Sequence, residues 1–113
     1  MEALGDRVFQ VGNISYNDED YDTAIEAYGY ITETYSINSP FYLSAKRALL
    51  NSKKQKITRG FNFTKDDLLS LEGEYKSFLQ EYGRNSQTAL LMIEYADFEA
   101  LYMNNLRLAR EVL

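Results

Sequence analysis

The chain has 113 residues, contains no cysteine or histidine, and carries a net charge of −5. Its length suits one domain, and the two missing residue types exclude a disulfide framework, a thiolate nucleophile and the commonest general base and metal ligand. With 45% apolar and 26% charged residues, it has the balance of a folded globular protein. The charge is segregated: residues 1–36 carry a net −7, residues 37–65 a net +7 and residues 66–113 a net −5.

The first sixty residues show helical periodicity. Apolar residues recur from Leu4 at intervals of three and four, which predicts an amphipathic helix ending at the turn formed by residues 17–20. Asp20 is a candidate N-cap for a second helix, which ends at residues 36–40. Ser39 is a candidate N-cap for a third helix with Pro40 at its first position, and this helix is predicted to end near residue 57.

The rest of the chain is also predicted to be helical. Residues 58–63 form a loop, and Thr64 with Asp67 forms a capping box that opens a fourth helix ending at Gly83, a residue suited to a positive φ. A fifth helix is predicted over residues 87–103, and a sixth, from Leu106, is cut short by the chain end. No segment alternates apolar and polar residues, so the expected class is all-α with antiparallel neighbouring helices. No run of about 18 apolar residues is present, so we expect no direct membrane insertion.

Two segments of the sequence are similar at a separation of 47 residues. The segments ETYSINS (33–39) and QEYGRNS (80–86) each contain a helix-ending tyrosine followed by a turn that ends in Asn-Ser. The preceding helices align as well, Tyr28 with Tyr75 and Ile31 with Phe78. A nine-residue insertion at 58–66 would reconcile this spacing with the 38 residues between Leu71 and Ala109.

This pattern resembles the tetratricopeptide repeat (TPR) family. The residues at its repeat-packing positions are Gly12, Tyr21, Ala24, Tyr28, Ile31 and Ala109. The resemblance implies one domain, a right-handed α-solenoid of about three helical hairpins over residues 1–38, 39–85 and 86–113. The last hairpin is truncated, which implies a fragment of a longer repeat protein. Tyr21, Tyr28 and Tyr35 step by seven residues and are predicted to pack between helices.

A subtype is indicated by YSINSPFYLSAKRALL (35–50), which is similar to a linker in bacterial outer-membrane and periplasmic repeat proteins. Examples are the lipoprotein of the β-barrel assembly complex and the coordinator of the Tol–Pal system. This likeness implies a role in outer-membrane assembly. It favours the periplasm or the outer-membrane periphery of a bacterium over the cytoplasm, while the organism and the compartment stay open.

The resemblance also implies a concave groove for a peptide or a partner helix. Its residues in this chain are Phe9, Asn13, Tyr16, Asn17, Arg47, Asn51, Lys54, Glu94, Phe98 and Tyr102. Arg47, Asn51 and Lys54 form a positive stripe suited to an acidic side chain or a peptide carboxylate. Asn13 coincides with the asparagine of the chaperone-type carboxylate clamp, but Phe9, Leu91 and Tyr95 replace its basic residues, so that ligand is rejected.

Other charged and aromatic residues have competing interpretations. The bases between Lys46 and Lys56 could pair with acidic neighbours, face solvent or bind an acidic peptide, and nucleic acid is disfavoured. The acidic runs at 18–20 and 66–67 are read as helix starts rather than as metal or acid–base sites. Phe61 and Phe63 either contact a partner or fold back onto their own hairpin.

No catalytic, cofactor or metal constellation is recognised, so the expected function is a non-enzymatic scaffold that binds a protein or peptide, possibly an acidic one. Two alternatives stay open: a structural spacer with no groove ligand, and a regulatory domain of a larger protein. Val112 and Leu113 lack a following unit to cover them, which leaves two alternatives: a piece excised from a longer repeat array, or a chain that covers this C-terminal edge by self-association.

Overall fold

The structure, a computed structural model, describes residues 2–59 and 64–103, and these ranges contain helices and no strand. The elements are α1 (Glu2–Asn17), α2 (Tyr21–Thr34), α3 (Pro40–Arg59), α4 (Lys65–Tyr82), a 3₁₀ turn (Ser86–Thr88), α5 (Ala89–Phe98) and a π-helical turn (Glu99–Met103). The expected all-α class is confirmed. The chain divides into two compact units, Met1–Phe61 and Asn62–Leu113, called unit 1 and unit 2 below.

Helices α2 and α3 begin where the cap residues predict. The Asp20 side chain accepts a hydrogen bond from the Thr23 backbone N–H at 3.2 Å and so caps α2. Pro40 is the first residue of α3, and the Ser39 hydroxyl accepts from the Phe41 N–H at 3.3 Å. Each cap satisfies a backbone donor that the first helical turn leaves without an intrahelical partner.

In unit 1, α1 packs against α2 and α2 packs against α3. Ala24, Tyr28 and Ile31 form the buried stripe of α2, and Leu49 on α3 packs into the same core. Gly12 is the point of closest approach of α1, because a Cβ built there would lie 2.6 Å from Cε1 of Tyr28. The partner of this glycine is therefore the tyrosine ring one turn after Ala24.

Of the three tyrosines predicted to pack between helices, one is buried and two are partly exposed. Tyr28 is fully buried, whereas Tyr21 and Tyr35 are half-buried. Tyr21 meets Tyr16 edge to face at 5.4 Å between ring centroids, and Tyr35 lies 5.7 Å from the Phe41 ring. These rings join α2 to α1 and to α3 respectively, so the heptad-spaced tyrosines do pack between helices.

Unit 2 is built around the buried face of α4. The predicted capping box is present: the Thr64 hydroxyl accepts from the Asp67 N–H at 3.1 Å, and the Asp67 carboxylate accepts from the Thr64 N–H at 3.0 Å. The helix ends at Gly83, whose φ is +98°. The buried side chains of α4 and α5 are Leu68, Leu71, Glu72, Tyr75, Phe78, Leu79, Leu91 and Phe98.

Two helix boundaries differ from the sequence-based expectation. Helix α3 continues to Arg59, and the Thr58 hydroxyl donates to the Lys54 carbonyl at 2.7 Å within that added turn. The fifth helix is not uniform, because it opens as a 3₁₀ turn and closes as a π-helical turn. At its start the Thr88 hydroxyl accepts from the Asn85 N–H at 3.0 Å and donates to the Gly83 carbonyl at 2.9 Å, which tightens the turn.

Several predictions lie outside the described residues: the sixth helix with Ala109, Val112 and Leu113, and the loop residues Phe61 and Phe63. Within residues 2–59 and 64–103, none of the helices combines the length and the apolar character that a bilayer-crossing segment requires.

Candidate functional site

Unit 1 contains a cleft of about 320 Å³ that side chains of all three of its helices line. Helix α1 contributes three of them, α2 contributes one and α3 contributes four. They are Phe9, Asn13, Tyr16, Tyr28, Ser44, Arg47, Ala48 and Asn51.

Helical spacing explains why these residues face one another. Phe9, Asn13 and Tyr16 follow each other at intervals of four and three, which places them on one face of α1. The four residues of α3, between Ser44 and Asn51, have the same kind of spacing. Because α2 packs against both α1 and α3, Tyr28 closes the cleft between their two faces.

A hydrogen bond fixes the polar side chain of the α1 wall. The Tyr28 hydroxyl donates to Oδ1 of Asn13 at 2.6 Å, while the Tyr28 ring meets the Phe9 ring edge to face at 5.5 Å. Since the carbonyl of the Asn13 amide is engaged by Tyr28, the amide presents its NH₂ group as a donor. Burial raises the pKa of Tyr28, with a smaller contribution from Tyr16, so this hydroxyl keeps its proton at neutral pH.

The α3 wall is rich in hydrogen-bond donors. Arg47 supplies a permanently charged guanidinium, Asn51 an amide and Ser44 a hydroxyl. None of the eight lining residues is acidic, and Arg47 is the one among them that carries a charge. The walls therefore combine donors and positive charge on α3 with aromatic surface on α1.

Five of the ten predicted groove residues line this cleft: Phe9, Asn13, Tyr16, Arg47 and Asn51. The predicted groove residues that follow them on α1 and α3, Asn17 and Lys54, do not line the cleft. Sequence reasoning missed Ser44 and Ala48, although both fall on the face of α3 that the spacing from Arg47 to Asn51 defines. It assigned Tyr28 to packing alone, yet this residue serves both the core and the cleft.

The other three predicted groove residues, Glu94, Phe98 and Tyr102, belong to unit 2. Phe98 is completely buried, with its ring 5.6 Å from that of Tyr75 and 5.7 Å from that of Tyr102. A side chain with no exposed surface cannot contact a ligand, so Phe98 is a core residue and not part of an exposed groove. Glu94 and Tyr102 are half-buried.

The C-terminal end of α3 pairs with acidic residues, as one interpretation of its charges predicts. Lys56 Nζ lies 2.6 Å from Oδ1 of Asp22, and Arg59 forms an ion pair with Glu19. All four side chains are more than half exposed, so each pair stabilises the fold by at most about 1 kcal/mol. The acidic runs act as helix starts: Asp20 caps α2 and Asp67 completes the capping box of α4.

Tyrosines and carboxylates of unit 2 cluster around the α4–α5 contact. The Tyr75 ring stacks on the Tyr95 ring at 5.1 Å. The pKa of Tyr95 is raised to about 12, mainly by burial and further by its hydrogen bond to Glu99. The pKa of Tyr75 is also raised, first by burial and then by Glu94 and Glu74. In the described ranges no three acidic side chains are grouped so that they could hold a metal ion.

The sequence matches no protein-family model, and no curated protein and no solved structure is significantly similar to it.

Proposed function

We propose that this protein is a non-enzymatic interaction module that binds an extended peptide or partner segment in the cleft of unit 1. One observation carries the proposal: a single cleft combines hydrogen-bond donors with aromatic rings. The donors are Arg47 and Asn51, the rings are those of Phe9 and Tyr16, and none of the lining residues is acidic. Such a cleft offers a place for an acidic group beside a place for an apolar side chain.

The chemistry of the walls selects the ligand. A carboxylate, from an acidic side chain or a peptide terminus, would receive charge-assisted hydrogen bonds from Arg47, and these are about twice as strong as neutral ones. The Asn13 amide, oriented by Tyr28, adds a donor on the opposite wall. The volume of about 320 Å³ lies at the lower end of the roughly 300–1,000 Å³ typical of ligand pockets, which suits a few side chains of a peptide.

The finer architecture is part of the same proposal: a right-handed TPR-like solenoid of the bacterial outer-membrane or periplasmic type. It is supported by the repeat motifs and by the sequential packing of α1 on α2 and α2 on α3. The contact between Gly12 and Tyr28, two of the repeat-packing positions, also supports it.

A random-peptide display library tests the cleft. Wild-type protein is expected to enrich peptides that combine an acidic residue with an apolar one, and Arg47→Glu is expected to lose that enrichment because its carboxylate repels the acidic group. Lys54→Glu is the matched control, since it makes the same charge change on the same helix outside the cleft. Circular dichroism of each variant checks that the helices are intact.

The alternative functions predict a different outcome. A structural spacer or a regulatory domain with no groove ligand would enrich no consensus peptide, and Arg47→Glu would behave like wild type. If Arg47→Glu and Lys54→Glu enriched peptides equally, the cleft would not be the binding site.

A further inference from the structure

A second, apolar groove lies between α1 and α2. It has a volume of about 270 Å³ and is lined by Val8 and Val11 of α1 and by Thr23, Glu26 and Ala27 of α2. It shares no lining residue with the cleft, and no residue of α3 contributes to it.

Exposed apolar side chains lie within one helical turn of lining residues on both helices. Val11 is 49% exposed and Ile14 is 62% exposed, and with Val8 they form a row at intervals of three along α1. On α2, Tyr30 follows Ala27 at the same interval and is 43% exposed. Exposed apolar side chains that cluster on one surface are a common mark of a site where a protein partner binds.

The shape of this surface suits a helix. It lies between two helices that pack against each other, so the depression runs alongside both of them. A third helix packs into such a depression by placing its own row of apolar side chains between the two existing rows.

The charges around the groove select the partner. Residues 5–34 contain one base, Arg7, and seven acids. Two of these acids are paired with α3 and Asp20 caps α2, but Glu26 lines the groove itself. The same face of a second copy would bring the same excess of negative charge, and an anionic membrane would be repelled in the same way.

From these observations we propose that the apolar face comprising Val8, Val11, Ile14, Ala27 and Tyr30 binds an amphipathic helix of a partner protein that carries lysine or arginine beside its apolar stripe. The apolar stripe would fill the groove, and the bases would meet Glu26 and its acidic surroundings. This face is distinct from the cleft, so the two proposals can succeed or fail separately.

The test uses three labelled 14-residue peptides and the full chain. The first peptide contains leucine and lysine at helical spacing, the second has the same composition in scrambled order, and the third replaces lysine by glutamate. Dissociation constants are measured by fluorescence anisotropy at about 0.15 M salt, where distant surface charges are screened. The variants are Val11→Ser with Ile14→Ser, Glu26→Lys, and the cleft variant Arg47→Ala.

The proposal expects the helical lysine peptide to bind wild type at least tenfold more tightly than either other peptide. Val11→Ser with Ile14→Ser and, separately, Glu26→Lys should each weaken this binding at least tenfold, while Arg47→Ala should change it less than threefold. Equal binding of the scrambled peptide would show simple charge attraction and overturn the proposal. Dimerisation in analytical ultracentrifugation that the serine variant abolishes would identify a second copy as the occupant and overturn it as well.

Discussion

Gly12 illustrates how one residue sets the distance between two helices. Its Cα faces the Tyr28 ring so closely that even a methyl group would overlap the ring, while Tyr28 is 2% exposed and held by the Asn13 hydrogen bond. The ring has little room to retreat, so α1 would have to move away from α2.

Gly12→Ala is therefore expected to lower the free energy of unfolding by about 1–3 kcal/mol, the usual effect of overpacking a core. Gly29→Ala is the matched control in the middle of α2, because a Cβ there meets nothing within 4 Å. Alanine has the better helix propensity, so this control should gain about 0.5–1 kcal/mol. Urea unfolding followed by circular dichroism measures both changes, and equal effects of the two substitutions would contradict the close contact.

Two buried tyrosines differ in what their hydroxyls do. The Tyr28 hydroxyl donates to Asn13, whereas the Tyr75 hydroxyl is buried with no hydrogen-bond partner among the described residues. Replacing Tyr28 by Phe should lower the free energy of unfolding by about 1 kcal/mol, the net value of a typical hydrogen bond.

Tyr75→Phe should have no effect or stabilise the protein, because it removes a polar group whose burial is unfavourable. Thermal unfolding of the two single variants gives the comparison. A loss of stability in Tyr75→Phe equal to that in Tyr28→Phe would show that the Tyr75 hydroxyl does have a partner.

Residue spacing predicts some side-chain contacts of this protein and misses others. The heptad spacing of Tyr28 correctly predicts that it packs between helices, and helical spacing from Phe9 to Tyr16 groups the α1 wall of the cleft. Spacing does not reveal that the Tyr28 hydroxyl reaches Asn13, because that contact depends on how deeply two helices approach. Likewise, the repeat pattern predicts that Phe98 faces the groove, whereas in the structure Phe98 is completely buried.

The sequence predicts the ends of a helix best where residues near those ends mark them. The limits of α4 follow from the capping box at Thr64 and the positive φ of Gly83, both of which depend on residues near each other in sequence. The irregular start of α5 depends on the Thr88 hydroxyl bonding the Gly83 and Asn85 backbone, and its π-helical end has no sequence signal that we can name.

The capping box of α4 gives a prediction at this scale. Thr64→Ala removes the acceptor for the Asp67 N–H and should lower the free energy of unfolding by about 1 kcal/mol. Thr64→Ser keeps the hydroxyl and should stay within a few tenths of a kcal/mol of wild type. Amide hydrogen exchange at Asp67 should accelerate in the alanine variant only, and exchange unchanged in both would show that the cap does not hold this turn.

For the molecule as a whole, the segregation of charge along the chain was evident from the sequence. Two of the resulting ion pairs join the end of α3 to the first turn of α2 and to the turn before it. The division into two units was not foreseen: it falls within the segment 58–66 that the repeat pattern marks as an insertion. Periodicity describes each helix but contains no information about which helices form a compact unit together.

Alkaline pH should destabilise both units. The fold raises the pKa values of three tyrosines: Tyr28 in unit 1, and Tyr75 and Tyr95 in unit 2. Tyrosines of the unfolded chain lose their protons near pH 10, whereas these three keep theirs to higher pH in the folded protein. The unfolded state then binds fewer protons, and the free energy of unfolding falls as pH rises above about 10. Below that pH these groups contribute no pH dependence.

Urea midpoints measured between about pH 8 and pH 11.5 test this expectation. Tyr95→Phe is the control, because it removes one shifted group and should make the decline shallower while the lysine titration common to both proteins is unchanged. A decline of the same steepness in the variant would show that the tyrosine protons are not responsible.

The consecutive packing of unit 1 has a consequence for the kinetics of folding. Because α1 contacts α2 and α2 contacts α3, its principal interactions join segments that are close in the chain, and forming them requires the closure of short loops only. Domains dominated by such local contacts fold in microseconds to milliseconds. Chains are synthesised at only about 5–20 residues per second. Unit 1 can therefore assemble both walls of its cleft as soon as α3 has emerged from the ribosome, before most of the remaining chain has followed.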